Sequence, residues 1–253
     1  MAQVIQTKLG QVEFEIAGSG PPLIVFHGSP GGWDGALLCA EQHLPEGFQI
    51  IGFSRPGYLG TPLTNNGSAE QQAGLAAALL DELSIPSAAV YGLSGGGPYA
   101  LAFAINHPER CSGLILGATV TKRDPRPDWQ LHCETALLHL LDWLVWIPGY
   151  LAPGWKWSRI LRVIAPFSRR ASGYRNDVQV FNQLPPFALG KISCPVLMVH
   201  DREDRNASFA HARETALRIP DCHKVFVEGC GHIDVFDRPW FAKRSAASYS
   251  DKF

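Results

Sequence analysis

The sequence has no excess of either charge. Lys and Arg number 22 against 23 Asp and Glu, a formal net charge of −1. That balance removes the electrostatic footprint of a nucleic-acid or polyanion binder. No run reaches the roughly 18 apolar residues that a membrane span needs. The nearest, residues 136–151, is interrupted by His139, Asp142, Pro148 and Gly149. The first eight residues lack the apolar core of a secretory signal and read as a strand. Six cysteines are scattered without a CxxC pair, so reduced thiols in a cytoplasmic protein are expected. Cys222, His223, Cys230 and His232 crowd together, but their spacing matches no familiar zinc pattern. No metal and no organic cofactor is expected. No internal repeat or low-complexity tract is visible.

What is present is ordinary globular composition, with 46% hydrophobic and 18% charged residues over 253 positions. That length is enough for one full core. Glycine (25) and proline (19) together exceed the usual share slightly, which foretells many tight turns. Two alternating runs, 4–8 and 12–17, are followed by an unbroken apolar run at 23–26. Similar runs recur at 49–53, 88–91, 113–116, 195–199 and 224–227. Short continuous apolar runs fit strands buried on both faces, as in a parallel sheet. Helical patterns lie between them at 71–83, 99–106 and 207–218. Asp237-Arg238-Pro239 reads as an N-cap and first-turn proline opening a last helix. Alternating strands and helices predict an α/β fold with a mostly parallel sheet.

One segment breaks the rhythm. Residues 122–191 have no convincing strand, three helix-like stretches, and five of the seven tryptophans. They read as a helical insertion, with residues 1–121 and 192–253 forming the core around it.

The strongest motif is Gly92-Leu93-Ser94-Gly95-Gly96, after the run at 88–91 and before a helix. This is G-x-S-x-G in its strand–turn–helix context. A sharp turn lifts the serine hydroxyl clear of the sheet, and only very small neighbours leave room for it. The following helix aims its free N–H groups at the same place. A serine nucleophile needs a base, and the base needs an orienting acid. Downstream, Asp201, Glu203 and Asp204 follow one strand, and His232 follows the next. Both lie at the strand ends where side chains converge in open α/β sheets. The chain order is serine, acid, histidine.

These motifs together resemble the α/β-hydrolase fold superfamily over nearly the whole chain. His27-Gly28-Ser29-Pro30-Gly31-Gly32 looks like its oxyanion loop, and residues 54–60 (Ser-Arg-Pro-Gly-Tyr-Leu-Gly) like its loop after the fourth strand. His200-Asp201-Arg202-Glu203-Asp204 and Gly229-Cys230-Gly231-His232 match its acid and histidine loops. The resemblance implies an α/β-hydrolase fold, with a mostly parallel central sheet flanked by helices and a helical cap inserted at 122–191. It implies Ser94 as nucleophile, His232 as base and Asp204 as acid. Asp201, Glu203 and Asp124 stand as alternative acids. The backbone N–H groups of Ser29 and Gly95 would form the oxyanion hole.

Trp33, Leu93, Trp143, Trp146 and Ile233 are candidates for an apolar substrate pocket. Two departures stand out: Asp201 where the family has glycine, and Ser54 where it has aspartate, which leaves Arg55 in need of another partner. A serine rather than an aspartate at the elbow argues against dehalogenase and epoxide hydrolase chemistry. The expected function is a serine hydrolase cleaving a carboxylic ester, thioester or related acyl bond of a small, mostly apolar molecule. The alternatives are a cofactor-free perhydrolase, a C–C hydrolase or lyase, or a ligand-binding receptor with slow turnover. The chain is expected to act as a monomer or homodimer.

Overall fold

The structure, a computed structural model, describes residues 2–123, 125, 132, 134–136, 142 and 164–234. The expected helix at 237–239, the candidate acid Asp124, and the tryptophans Trp143 and Trp146 lie outside them.

Eight strands form one sheet: β1 (Gln3–Thr7), β2 (Gly10–Ala17), β3 (Pro22–Phe26), β4 (Gln49–Phe53), β5 (Ala88–Leu93), β6 (Cys111–Gly117), β7 (Val196–Asp201) and β8 (Cys222–Val227). Their spatial order is β1-β2-β4-β3-β5-β6-β7-β8. The β1–β2 and β2–β4 pairings are antiparallel. From β4 onward every pairing is parallel.

The apolar runs of the interior strands β3, β5, β6 and β7 are buried on both faces. The run at 224–227 is not, because β8 is the edge strand and none of its residues is fully buried. Ile24 and Phe26 of β3 enter one core cluster, with Leu79 and Phe103. Leu23 and Val25 point the other way and pack with Ala36 and Ala40. Strand alternation sorts these side chains between the two layers.

The helices bounded among the described residues are α1 (Trp33–His43), α2 (Ala69–Glu82), α3 (Gly97–Asn106), α4 (Ala171–Gln183), α5 (Phe209–Arg218) and the short α6 (Gly231–Asp234). Helix α2 starts in a full capping box, with Ser68 and Gln71 satisfying each other's backbone N–H groups. Helix α1 escapes the periodicity reading because Gly32 caps it with no side-chain bond. Its buried positions are the small or polar residues Gly35, Ala36, Ala40 and His43. The described residues between β6 and β7 include α4 and no strand. No helix among the described residues is long and apolar enough to cross a membrane.

Candidate active site

Strand β5 runs straight into a single 3-10 turn at Ser94–Gly96 and then into α3. Ser94 sits at φ +50°, a left-handed conformation that costs a non-glycine residue about 1–3 kcal/mol. The glycines around it are required by packing. A Cβ on Gly92 would lie 2.6 Å from the Ala100 Cβ, and one on Gly96 would lie 2.7 Å from the Phe26 carbonyl carbon. The turn's carbonyl is also anchored: the Val120 N–H donates to the Ser94 oxygen at 3.0 Å.

The three sequence-expected residues meet. Ser94 Oγ lies 2.8 Å from His232 Nε2, and His232 Nδ1 lies 2.7 Å from Asp204 Oδ2. Since Asp204 accepts, Nδ1 carries the proton and Nε2 is free to accept from the serine hydroxyl. Asp204 also receives the N–H groups of Asn206 (2.8 Å) and Ala207 (3.0 Å) on its other oxygen. Burial alone would raise its pKa. The hydrogen bond and charge of His232, with these two N–H donors, outweigh burial and hold the carboxyl below its usual range.

Asp201 faces a different task. It is not a positive-φ residue, so the glycine it replaces is not needed for backbone freedom. Its carboxylate takes the N–H of Glu203 (2.6 Å), Cys230 (2.5 Å) and Gly231 (3.0 Å). It therefore ties the acid loop to the loop that carries His232. Glu203, the other alternative acid, contributes its backbone N–H to this tie.

The loop at residues 27–32 lies against the nucleophile: a Cβ on Gly28 would be 3.4 Å from the Ser94 Cβ. It is held by a buried polar cluster. Arg55 Nε donates to the His27 carbonyl (3.1 Å), and the Arg55 N–H donates to His27 Nε2 (3.1 Å). The guanidinium forks onto Asp177 of α4, with Nη1 to Oδ1 at 2.7 Å and Nη2 to Oδ2 at 2.6 Å. Both side chains are 0% exposed. The partner that Ser54 could not supply to Arg55 is thus Asp177. Burial would lower the Arg55 pKa, and the Asp177 carboxylate overrides it and holds the guanidinium charged. Tyr58 and Tyr99 each donate to Asp177 at 2.5 Å, and the Ser29 hydroxyl donates to it as well. Burial pushes both phenols well above their ordinary pKa, so they stay donors. His27 is driven well below its ordinary value by burial and then by the Arg55 charge. It is neutral, with Nδ1–H on the Gly28 carbonyl at 2.7 Å.

A second arginine grips the far end of the loop. Arg170 Nη1 donates to the Gly31 carbonyl (2.8 Å), and Nη2 pairs with Asp34 of α1 (2.7 Å). Ser54 accepts the Trp33 N–H at 3.2 Å and donates to Glu13 at 2.9 Å. Glu13 also takes the Gly60 N–H at 2.9 Å, so it braces this loop where the family's aspartate is missing.

Asp177, Arg170, Asp34 and Glu13 were not anticipated from sequence. One signal for Asp177 was available: it sits in the buried stripe Tyr174, Asp177, Val178, Phe181. A carboxylate on an apolar helix face needs a cation.

Of the candidate pocket residues, Trp33 opens α1 and Leu93 packs against the second core cluster. Ile233 falls in α6. A groove of about 390 Å³ lies between Thr121–Arg123, Leu184–Leu189 and α5, and its lining includes neither Ser94 nor His232. No group of His, Cys, Asp and Glu among the described residues is arranged to hold a metal ion.

Comparison with known proteins agrees with this architecture. The profile of the alpha/beta hydrolase family matches residues 23–243, and the chain belongs to that family. The expectation of an enzyme of this type therefore stands. An alpha/beta hydrolase fold protein from Nakamurella multipartita superposes with a TM-score of 0.81 at 27% identity, covering 100% of this chain and 99% of that one. The uncharacterized hydrolase YcgS of Bacillus subtilis is 36% identical over 118 residues, 45% of this chain and 39% of that protein. The 2-hydroxy-6-oxo-6-phenylhexa-2,4-dienoate hydrolase of Burkholderia cepacia is 26% identical over 90% of this chain and 89% of its own length.

Proposed function

We propose that the chain is a serine hydrolase that cleaves a carboxylic ester, thioester or related acyl bond through an acyl-enzyme. The observation that carries this reading is the continuous hydrogen-bonded chain Ser94–His232–Asp204, at 2.8 and 2.7 Å. As the Ser94 oxygen attacks the substrate carbonyl carbon, its proton passes to His232 Nε2. Asp204 holds the imidazole in the right tautomer and stabilises the imidazolium. The N–H groups of Ser29 and Gly95 receive the developing oxyanion. Collapse breaks the C–O or C–S bond, and the leaving group takes the proton from His232. A water molecule, deprotonated by the same imidazole, then releases the acid and restores Ser94. Every proton moves among protein groups, substrate and the attacking water, so the scheme calls on no metal or cofactor.

Residues 122–191 act in this reading as a cap over the serine, and the substrate is a small, mostly apolar acyl compound. The test is intact-mass spectrometry after treatment with a fluorophosphonate, with Ser94→Ala as control, followed by a nitrophenyl ester series from short to medium chains. One adduct, absent in the variant, is the expected result. A folded protein that takes no adduct would sink the reading.

The similarity to the dienoate hydrolase along 90% of the chain favours a second reading, hydrolysis of a C–C bond next to a ketone. It is separated from the first by offering a 2-hydroxy-6-oxo-dienoate and following loss of its absorbance. Turnover of that compound far above the best ester would make C–C cleavage the principal reaction.

A further inference from the structure

We infer that helix α4 positions the oxyanion pocket, with Asp177 as the positioning residue that fixes Ser29 and Phe181 as its companion on Gly95. This rests on the serine-hydrolase reading above and goes beyond it by assigning a task to a helix outside the three-residue chain.

Three contacts from one helix converge on one loop and one turn. Asp177 and Phe181 are four residues apart, so they share a face of α4. Asp177 accepts the Ser29 hydroxyl. A Cβ on Gly95 would lie 2.9 Å from the Ser29 Cβ and 3.1 Å from the Phe181 ring tip. The two residues whose N–H groups receive the oxyanion are therefore packed against each other and against α4. At the start of the same helix, Arg170 holds the Gly31 carbonyl at 2.8 Å, the other end of the loop.

Asp177 is saturated. Arg55 twice, Tyr58, Tyr99 and Ser29 all donate to it, five donors for a carboxylate with about four lone-pair positions. A shift of this carboxylate would break several of these bonds at once, and the Ser29 hydroxyl is tied to it. Arg55 Nη2 approaches the Ser29 hydroxyl as well, at 3.2 Å. Donors that must not reorganise as charge develops are best held this way. A displacement of about 1 Å in a reacting geometry can cost roughly 10²-fold in rate.

The experiment compares wild type, Asp177→Asn, Ser29→Ala and their double variant. It reads the second-order rate of fluorophosphonate labelling at Ser94, kcat and KM on one nitrophenyl ester, and Tm. Asp177→Asn is expected to slow labelling and kcat by about 10²-fold with KM within about threefold. Ser29→Ala keeps the Arg55–Asp177 pair and is expected to lose about tenfold, with Tm nearly unchanged. The double variant should be no slower than Asp177→Asn alone, because both changes break one contact. If Asp177→Asn does not fold, Ser29→Ala and Tyr99→Phe carry the test. Wild-type labelling and turnover in Ser29→Ala, or losses that multiply in the double variant, overturn the inference while leaving the serine-hydrolase reading intact. A wild-type protein that takes no label at Ser94 overturns both.

Discussion

The two sides of Ser94 are built differently. On one side stand His232 and Asp204, carried by loops after β8 and β7. The His232 side chain keeps 16% of its surface exposed and is held through its two ring nitrogens. On the other side, the loop at residues 27–32 is fastened by Arg55 and Asp177, both 0% exposed, and by Arg170, 2% exposed. The contrast follows from the chemistry. In the proposed reaction the imidazole passes a proton between serine, leaving group and water, so it has to reach more than one partner. Donors that stabilise an oxyanion act best when already in place. The rigid side bears the larger folding cost, since burying an ion pair forfeits the hydration of both charges.

Breaking the His232 side should have the largest effect. Ser94→Ala and His232→Ala are each expected to lower kcat by about 10⁴–10⁶-fold with Tm preserved, and the double variant should be little worse. Losses that multiply, measured on a nitrophenyl ester, would count against a single working unit. Asp204→Asn should cost roughly 10⁴-fold, since the amide favours the wrong imidazole tautomer.

On the fixed side the loss should appear in stability. Arg55→Met leaves Asp177 buried without its cation, which typically costs about 3–5 kcal/mol. A urea midpoint equal to wild type would show that the cluster is not the anchor described. Asp201→Asn lies between the two sides. Its amide oxygen can still take the Cys230 or Gly231 N–H, so a roughly tenfold fall in kcat, about 1.4 kcal/mol of barrier, is expected.

The smallest effect concerns acid stability. Burial drives the His43 imidazole down to about 3, while in the unfolded chain it titrates near 6.5. Between those values the unfolded chain binds the extra proton. Stability should therefore fall as the pH drops from about 6.5 towards 3. His27 contributes in the same direction. His43→Gln should flatten this slope by about one proton. Denaturation curves at pH 7, 6, 5 and 4 would reveal it, and an unchanged slope would mean that His43 is already protonated when folded.

The comparison also marks what the sequence made legible. Six strands were foreseen from short apolar runs and two, β1 and β2, from alternation; burial on both faces leaves a continuous signal in the interior strands. The meeting of Ser94, Asp204 and His232 was legible because each follows its own strand within a few residues. Topology alone then brings them to one edge of the sheet. The Arg55–Asp177 pair spans 122 positions and has no local pattern. Only the missing aspartate at Ser54 hinted that Arg55 lacked its usual partner. Helix α1 was missed for another reason. Glycine and alanine at its buried positions present too little apolar periodicity to distinguish it from a loop.

Helix α4 has a consequence for protein engineering. Residues 122–191 look like an exchangeable module by sequence alone. Yet Arg170 and Asp177 are bonded to Gly31 and Ser29, so the last part of that segment belongs mechanically to the loop at 27–32. A chimera that borrows the corresponding segment of a relative should therefore rejoin this chain before Ala165, and keep residues 165–191 from the parent that supplies the loop at 27–32. A junction placed at Lys191 would import a foreign helix against the very loop the graft was meant to leave untouched.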